Sequence, residues 1–252
     1  MSSAPPSPTA RTLPFTAPWL LAPMEGVTEP CFRDLVLSRN QPEHLGGTFT
    51  EFVRVHATPV PRAIVRRHIG PSRHPQPVGV QLMGNDLERL AATALRAAEQ
   101  GGAAMLTVHC RTRAEAYCPE VDWTRIARAA SAVSIPVCGN GGVESHADFE
   151  RLRRETGARF AMVGRGALAD PWIFSGRSVT RGEAARFLVD YADLMRERNQ
   201  WPGGGIAARV KQLLRYWTAG GLVESEEHRL EWLREKDGTA LLGRLRALAA
   251  QA

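Results

Sequence analysis

The sequence predicts an α/β fold of TIM-barrel type: a (β/α) barrel-like domain cut short at six strands, followed by a small all-α domain. Three observations predict it. Beyond a short leader, apolar runs alternate with helical patterns, the mark of βα units and a parallel sheet. The runs end in glycine or polar residues, where barrels of this type gather their functional groups. From about Arg181 onward the periodicity is helical throughout.

Met1 to Pro18 is rich in Pro, Ser and Thr and lacks the apolar centre of a secretory signal, so 1–18 reads as a disordered leader. The first strand is Trp19–Pro23, with a helix from Glu29 to about Leu37. Strands over Thr48–Val53 and Pro77–Met83 follow. Asn85 or Asp86 caps a helix whose apolar positions Leu87, Leu90, Ala91, Ala94, Leu95 and Ala98 recur at helical spacing, with Gly101 placed to stop it. The fourth strand is Ala104–His109, before a helix over Asp122–Ala132. The fifth is Ile135–Asn140, before a helix over His146–Glu155, and the sixth is Phe160–Val163. A boundary near Arg177–Gly182 separates a barrel-like domain over 19–177 from helices over 178–252. There Ile206, Val210, Leu213, Leu214 and Trp217 form an apolar stripe, and further helices span Ser225–Glu235 and Gly238–Ala250.

No run of about 18 apolar residues exists, so no membrane span is expected. Cys31, Cys110, Cys118 and Cys138 are scattered without a CxxC pair, which fits reduced cytoplasmic thiols better than a disulfide framework or a metal site. The net charge of +6 permits a polyanionic partner without establishing one.

The strand ends read Pro23-Met24-Glu25-Gly26, Glu51, Gln81, His109, Asn140-Gly141-Gly142 and Gly164-Arg165-Gly166. The last two point to a phosphate. Glycines let backbone N–H groups approach it, a helix N-terminus adds a favourable dipole, and Arg165 adds a charge-assisted contact. Either motif alone is equally a glycine-rich turn; on consecutive strands they favour a phosphate cup. Gln81 can donate and accept against a flavin ring, or stand as a satisfied polar residue in the barrel mouth. His109 alone reads equally as structural. Arg209, Lys211 and Arg215 share a helix with the apolar stripe and read either as RNA contacts or as its solvated face.

Taken together, Leu21–Val27, Thr28–Arg33, Thr50–Val55, Val80–Gly84, Val108–Thr112, Gly139–Gly142, Met162–Ala167 and Ala208–Gln212 resemble the tRNA-dihydrouridine synthases, in the branch that modifies uridine 16. That resemblance implies FMN, reduced by NADPH, acting on a uridine C5–C6 double bond in tRNA. It implies that Pro23, Met24 and Glu25 line the flavin, that Gln81 bonds its ring and that His109 lies near it. Asn140, Gly141, Gly142, Gly164 and Arg165 would hold the phosphate, and Arg54, Arg209 and Lys211 would touch tRNA. Gly142 stands where the family carries an acidic residue.

Two further departures carry more weight. The family's Asn-x-Gly-Cys-Pro loop and lysine-bearing strand, expected between the Gln81 and His109 strands, do not appear. A closed barrel needs eight βα units, so roughly two, on the order of 70 residues, are missing. The absent cysteine is the family's general acid, a role worth about 10²–10⁴-fold in rate. His109 remains as a catalytic candidate, and Cys110 or Cys118 as a substitute acid; Cys138 reads as core. A second copy would cover the open barrel. Two alternatives stand beside this reading: a non-catalytic RNA-binding remnant of the family, and another FMN or sugar-phosphate barrel enzyme.

Overall fold

The computed structural model describes residues 13–55, 60–71, 73–83, 105–111, 121–132, 136–198 and 203–251. Six parallel strands form one sheet: β1 (Trp19–Leu21), β2 (Gly47–Arg54), β3 (Val78–Met83), β4 (Leu106–His109), β5 (Val137–Asn140) and β6 (Phe160–Val163). The expected helix after β3 and the polar loop after Arg111 lie outside the described residues. The spatial order is β3-β2-β1-β6-β5-β4, so every strand lies beside its neighbour in the chain except β3 and β4, and β1 pairs with β6. That is the order of a ring of strands opened at one place, between β3 and β4.

Alternation along the strands sorts side chains to two buried faces, as a parallel sheet covered on both sides requires. Leu20, Ala22, Cys138, Phe160 and Met162 form one cluster, while Trp19, Leu21, Ala161 and Val163 join the larger core beneath the helices. Phe15 closes the amino-terminal end of the inner cluster against Phe49 and Phe160, with ring centroids 5.9 and 5.6 Å away. Gly47 and Gly79 leave room for this plug, since a Cβ at either would lie 2.7 Å from Phe15 or 2.4 Å from Phe49. The leader reading does not hold for residues 13–18, while residues 1–12 lie outside the described residues. Within 1–18, Ala17 is buried, Leu13 and Phe15 pack on the core, and Thr16 N–H donates to the Gly46 carbonyl.

Helix α1 (Pro30–Arg39) starts where Glu29 accepts from the N–H groups of Cys31 (2.6 Å) and Phe32 (3.1 Å), with proline at the first helical position. A short helix absent from the sequence reading, α2 (Arg62–Ile69), follows β2. Its flanking prolines read as loop, yet Val65 is buried against Val53, Val55 and Val60. Then come α3 (Thr124–Ala132), α4 (His146–Thr156) and the five-residue α5 (Arg165–Ala169). Ser145 and Asp148 close a capping box on α4.

The chain turns wholly helical at α6 (Arg181–Glu197), followed by α7 (Gly203–Leu214), α8 (Glu226–Arg234) and α9 (Gly238–Ala249). The core crosses this change of architecture without a break. Phe187 of α6 packs on Phe32, Trp172 and Trp217 at 6.3, 5.5 and 5.6 Å between centroids. The Tyr191 hydroxyl donates to Glu29 at 3.0 Å, and Arg198 pairs with Asp34 at 2.5 Å, both side chains 15% exposed. No described helix is long and apolar enough to cross a membrane.

Candidate functional site

Strand register assembles the site. His109 is opposite Asn140, Asn140 is opposite Met162, and Leu21 is opposite Val163, so the loops after β1, β4, β5 and β6 leave the sheet at one level. There they enclose a cavity of about 440 Å³, within the range usual for small-molecule sites. Pro23, Met24, Gln81, His109, Asn140, Gly141, Gly142, Gly164 and Arg165 all line it. Glu25 is not among the lining residues. It stands exposed, 3.8 Å from Arg54 at the end of β2. Arg111, Thr107 and Glu144 also line the cavity; the sequence reading gave no cavity role to Thr107 or Glu144.

The turn after β5 is built for backbone approach. Gly141 and Gly142 hold φ of +102° and +74°, conformations that side chains disfavour. A Cβ on Gly141 would lie 2.5 Å from Cys110 Sγ, and one on Gly142 2.6 Å from Val121. These contacts give a physical reason for glycine, not an acidic residue, at 142. Trp123 Nε1–H donates to the Gly141 carbonyl at 3.0 Å, turning that oxygen toward α3. Gly164 serves close packing in another way, because a Cβ there would sit 3.3 Å from Met24 Sδ. The helix that Arg165 begins has only five residues, so anion attraction there rests on local N–H groups and the guanidinium more than on a macrodipole.

The His109 imidazole is shifted toward its neutral form. Burial of the imidazole pushes its pKa below 6.5, and the charges of Arg111 and Arg165 push the same way, against a hydrogen bond to the Arg111 backbone. Nδ1 faces both the Arg111 N–H at 3.0 Å and the Arg111 carbonyl at 3.2 Å, accepting from the first or donating to the second according to the tautomer. Below pH 6.5 the unfolded chain takes a proton that the folded ring refuses. This group's contribution to stability is therefore full above 6.5 and declines as pH falls through it. An NMR titration of the His109 ring, assigned by its loss in His109→Gln, is expected to give a midpoint below 6.5. A midpoint at or above 6.5 contradicts this account.

The loop between β1 and α1 is held by one of its own side chains and by two other elements. Thr28 Oγ1 accepts from Met24 N–H at 2.8 Å. One peptide unit, Gly26–Val27, is clamped at both ends: Arg209 of α7 donates to its carbonyl, and Glu51 of β2 accepts from its N–H at 2.8 Å. The charges match the peptide dipole, with the cation at the oxygen and the anion at the hydrogen. Burial raises the Glu51 pKa, while the Val27 N–H and Arg209 oppose that rise. Neither the Thr28 bond to Met24, four residues away, nor the clamp was foreseen; the clamp joins this loop to Glu51 and Arg209, 24 and 183 residues distant. Arg209 and Lys211, expected at tRNA or on a solvated face, are both half-buried, and Lys211 donates to the Glu235 carbonyl. Of the three expected RNA contacts, only Arg54 is exposed.

Cys110 is fully buried beneath Gly141 with its thiol pKa raised, and Cys138 is buried with its thiol pushed up to about 12. Cys118 lies outside the described residues. No cysteine or lysine occurs among the described lining residues, and the sequence's lysines, Lys211 and Lys236, both fall in the helical portion. No cluster of His, Cys, Asp or Glu suited to a metal occurs among the described residues.

Comparison with known proteins gives a consistent picture. The family model for dihydrouridine synthase (Dus) matches residues 20–101 and 92–200. A tRNA-dihydrouridine(16) synthase of Cupriavidus necator is 48% identical over 84 residues, 33% of this chain and 26% of that one. Its counterpart in Haemophilus influenzae is 35% identical over 157 residues, 60% of this chain and 49% of that one. A probable tRNA-dihydrouridine synthase of Rickettsia conorii is 30% identical over 163 residues, 62% and 49%. The chain spans about half or less of the length of these relatives. A nitroalkane oxidase from Streptomyces ansochromogenes, of known structure, aligns over 95% of this chain and 97% of its own at 18% identity and a TM-score of 0.38.

Proposed function

The chain belongs to the dihydrouridine synthase family, and from that premise we propose that its cavity binds FMN, reduced by NADPH, for reduction of a uridine C5–C6 double bond in the D-loop of tRNA. The observation that carries this reading is the convergence of nine strand-end residues, named from sequence, on one cavity. The residues fit the group. Two positive-φ glycines present bare backbone to the cavity, Arg165 would supply charge, and the Gln81 amide would supply ring hydrogen bonds.

When bound, FMN supplies the redox chemistry. The chain's own groups then have these roles. Backbone N–H groups at Gly141, Gly142 and Gly164, with Arg165 and Asn140, hold the phosphate. Pro23 and Met24 pack against the ring system, on a loop kept in place by the Gly26–Val27 clamp. His109 presents its imidazole at the cavity. Protonation of the uracil carbon lacks its usual thiol, and losing a general acid costs about 10²–10⁴-fold. Slow turnover follows.

We attribute that loss to about two missing βα units between β3 and β4. The sheet opens there, and the two stretches matched by the family model meet at residues 92–101 in the same interval. The protein acts in the cytoplasm, on this reading. The alternative, a non-catalytic tRNA-binding member of the family, is favoured by one observation: Cys110, the thiol nearest the cup among the described residues, is buried with a raised pKa.

A visible spectrum of the purified protein, before and after anaerobic NADPH, tests the proposal, followed by dihydrouridine analysis of tRNA incubated with it. A flavin band that bleaches, with slow dihydrouridine formation, is expected. Bound flavin without product would favour the non-catalytic reading. A colourless protein that takes up no added FMN would overturn the cofactor assignment.

A further inference from the structure

The stretch from Phe52 to Asn85 contains five arginines and no aspartate or glutamate, so 34 residues carry +5 of the chain's net +6. Four of the five, Arg62, Arg66, Arg67 and Arg73, lie on or just beyond α2, and all four are exposed. None of their side chains makes an ion pair or hydrogen bond among the described residues.

These charges do not serve the helix that carries them. Arg62 occupies its first position, where a cation opposes the helix dipole, and neither an acidic residue in the first turn nor a side-chain cap on Pro61 offsets it. Arg62 and Arg66 are four apart, a like-charge spacing that costs a few tenths of a kcal/mol in an isolated helix. Only Arg66 and Arg67, in the last turn, suit the dipole.

Position gives the arrangement its use. Val65 packs on Val53 and Val55, at and just past the carboxyl end of β2. At the other end of α2, Arg33, in the first turn of α1, donates to the carbonyls of His68 and Ile69 (2.5 and 2.8 Å), and Gly70 lies against Pro30. Both anchors belong to the face where the strands end, so α2 lies at the same end of the sheet as the cavity, without lining it. Exposed guanidinium groups at that end suit the phosphates of a polymer whose reacting unit reaches inward, through planar, charge-assisted contacts.

We propose that α2 and the segment through Arg73 form the principal RNA-backbone docking surface of this chain, a role the family resemblance had assigned to Arg54, Arg209 and Lys211. This rests on the reading of the protein as a tRNA-binding member of its family. The test is a filter-binding titration with unfractionated tRNA from 50 to 200 mM salt, comparing wild type with Arg62→Ala/Arg66→Ala/Arg67→Ala. Circular dichroism of both proteins checks the fold, and FMN uptake is measured alongside. The triple variant is expected to bind tRNA at least tenfold more weakly, with the log–log salt slope flattened by about 2 and FMN uptake unchanged. Wild-type binding matched by the variant at every salt concentration would overturn the proposal and leave the tRNA reading standing. Wild type that binds no tRNA would remove the reading itself. Binding by wild type to phosphatidylserine vesicles alone, lost in the variant, would reassign the surface to a membrane partner.

Discussion

Arg33→Met is expected to destabilise the fold by about 3–4 kcal/mol while nearly conserving side-chain volume. Arg33 is 2% exposed, and its guanidinium reaches three backbone carbonyls on two elements: Thr28 before α1, and His68 and Ile69 at the end of α2. The last two are orphan acceptors that a helix terminus must satisfy from outside. Methionine fills the space and leaves all three without their donor. Stranding a buried acceptor costs about 1–3 kcal/mol, and part of the sum returns because the buried cation no longer resists desolvation, the effect that lowers the Arg33 pKa. Urea unfolding of wild type, Arg33→Met and Arg33→Lys checks this. Lysine cannot fork to carbonyls in two directions, so it should recover less than half the loss. A loss below about 1 kcal/mol in Arg33→Met would show that water or local rearrangement satisfies these carbonyls, and that α2 is not tied to α1 through this residue.

How much of this was written locally in the sequence follows from the range of each interaction. All six strands were placed within two residues at each end, because a buried parallel strand is a short apolar run between breakers, a local signal. The cup was found for a related reason: Gln81, His109, Asn140 and Gly164 sit at or near where such runs stop; register brings His109 and Asn140 level, and all four line the cavity. What escaped was set by partners distant in the chain. Helix α2 has one buried residue and two flanking prolines, so its local pattern reads as loop; Arg33, 35 residues away, caps it. Arg209 looked like a surface cation because helical spacing alone does not reveal that Gly26, 183 residues away, offers its carbonyl. Phe15 looked like leader because composition outweighed a single aromatic residue, yet two glycines elsewhere make its seat. Long arginines are the recurring blind spot: their stems reach where a pattern of exposed and buried positions does not.

The second large effect is expected at Gly141, and its two causes are separable. Gly141→Ala places a side chain at φ +102°, a backbone strain of about 1–3 kcal/mol. It also puts a Cβ 2.5 Å from Cys110 Sγ, inside a core where overpacking costs about 1–3 kcal/mol. Cys110 has nowhere to retreat, since it is fully buried and its N–H is bonded to the Asn140 carbonyl at 2.9 Å. Cys110→Ala removes the sulfur and leaves the dihedral strain, so the double variant should be more stable than the sum of the single losses by at least about 1 kcal/mol. Urea midpoints and slopes of the four proteins give that coupling directly. Strictly additive losses would mean that the glycine serves only its dihedral and that Cys110 is not its neighbour in solution. FMN uptake by the same proteins separates the cup from the core. If the turn presents its N–H groups to the phosphate, affinity should fall in both variants that carry Gly141→Ala. Cys110→Ala alone should bind as wild type, because a buried thiol beneath the turn supports it without touching the ligand.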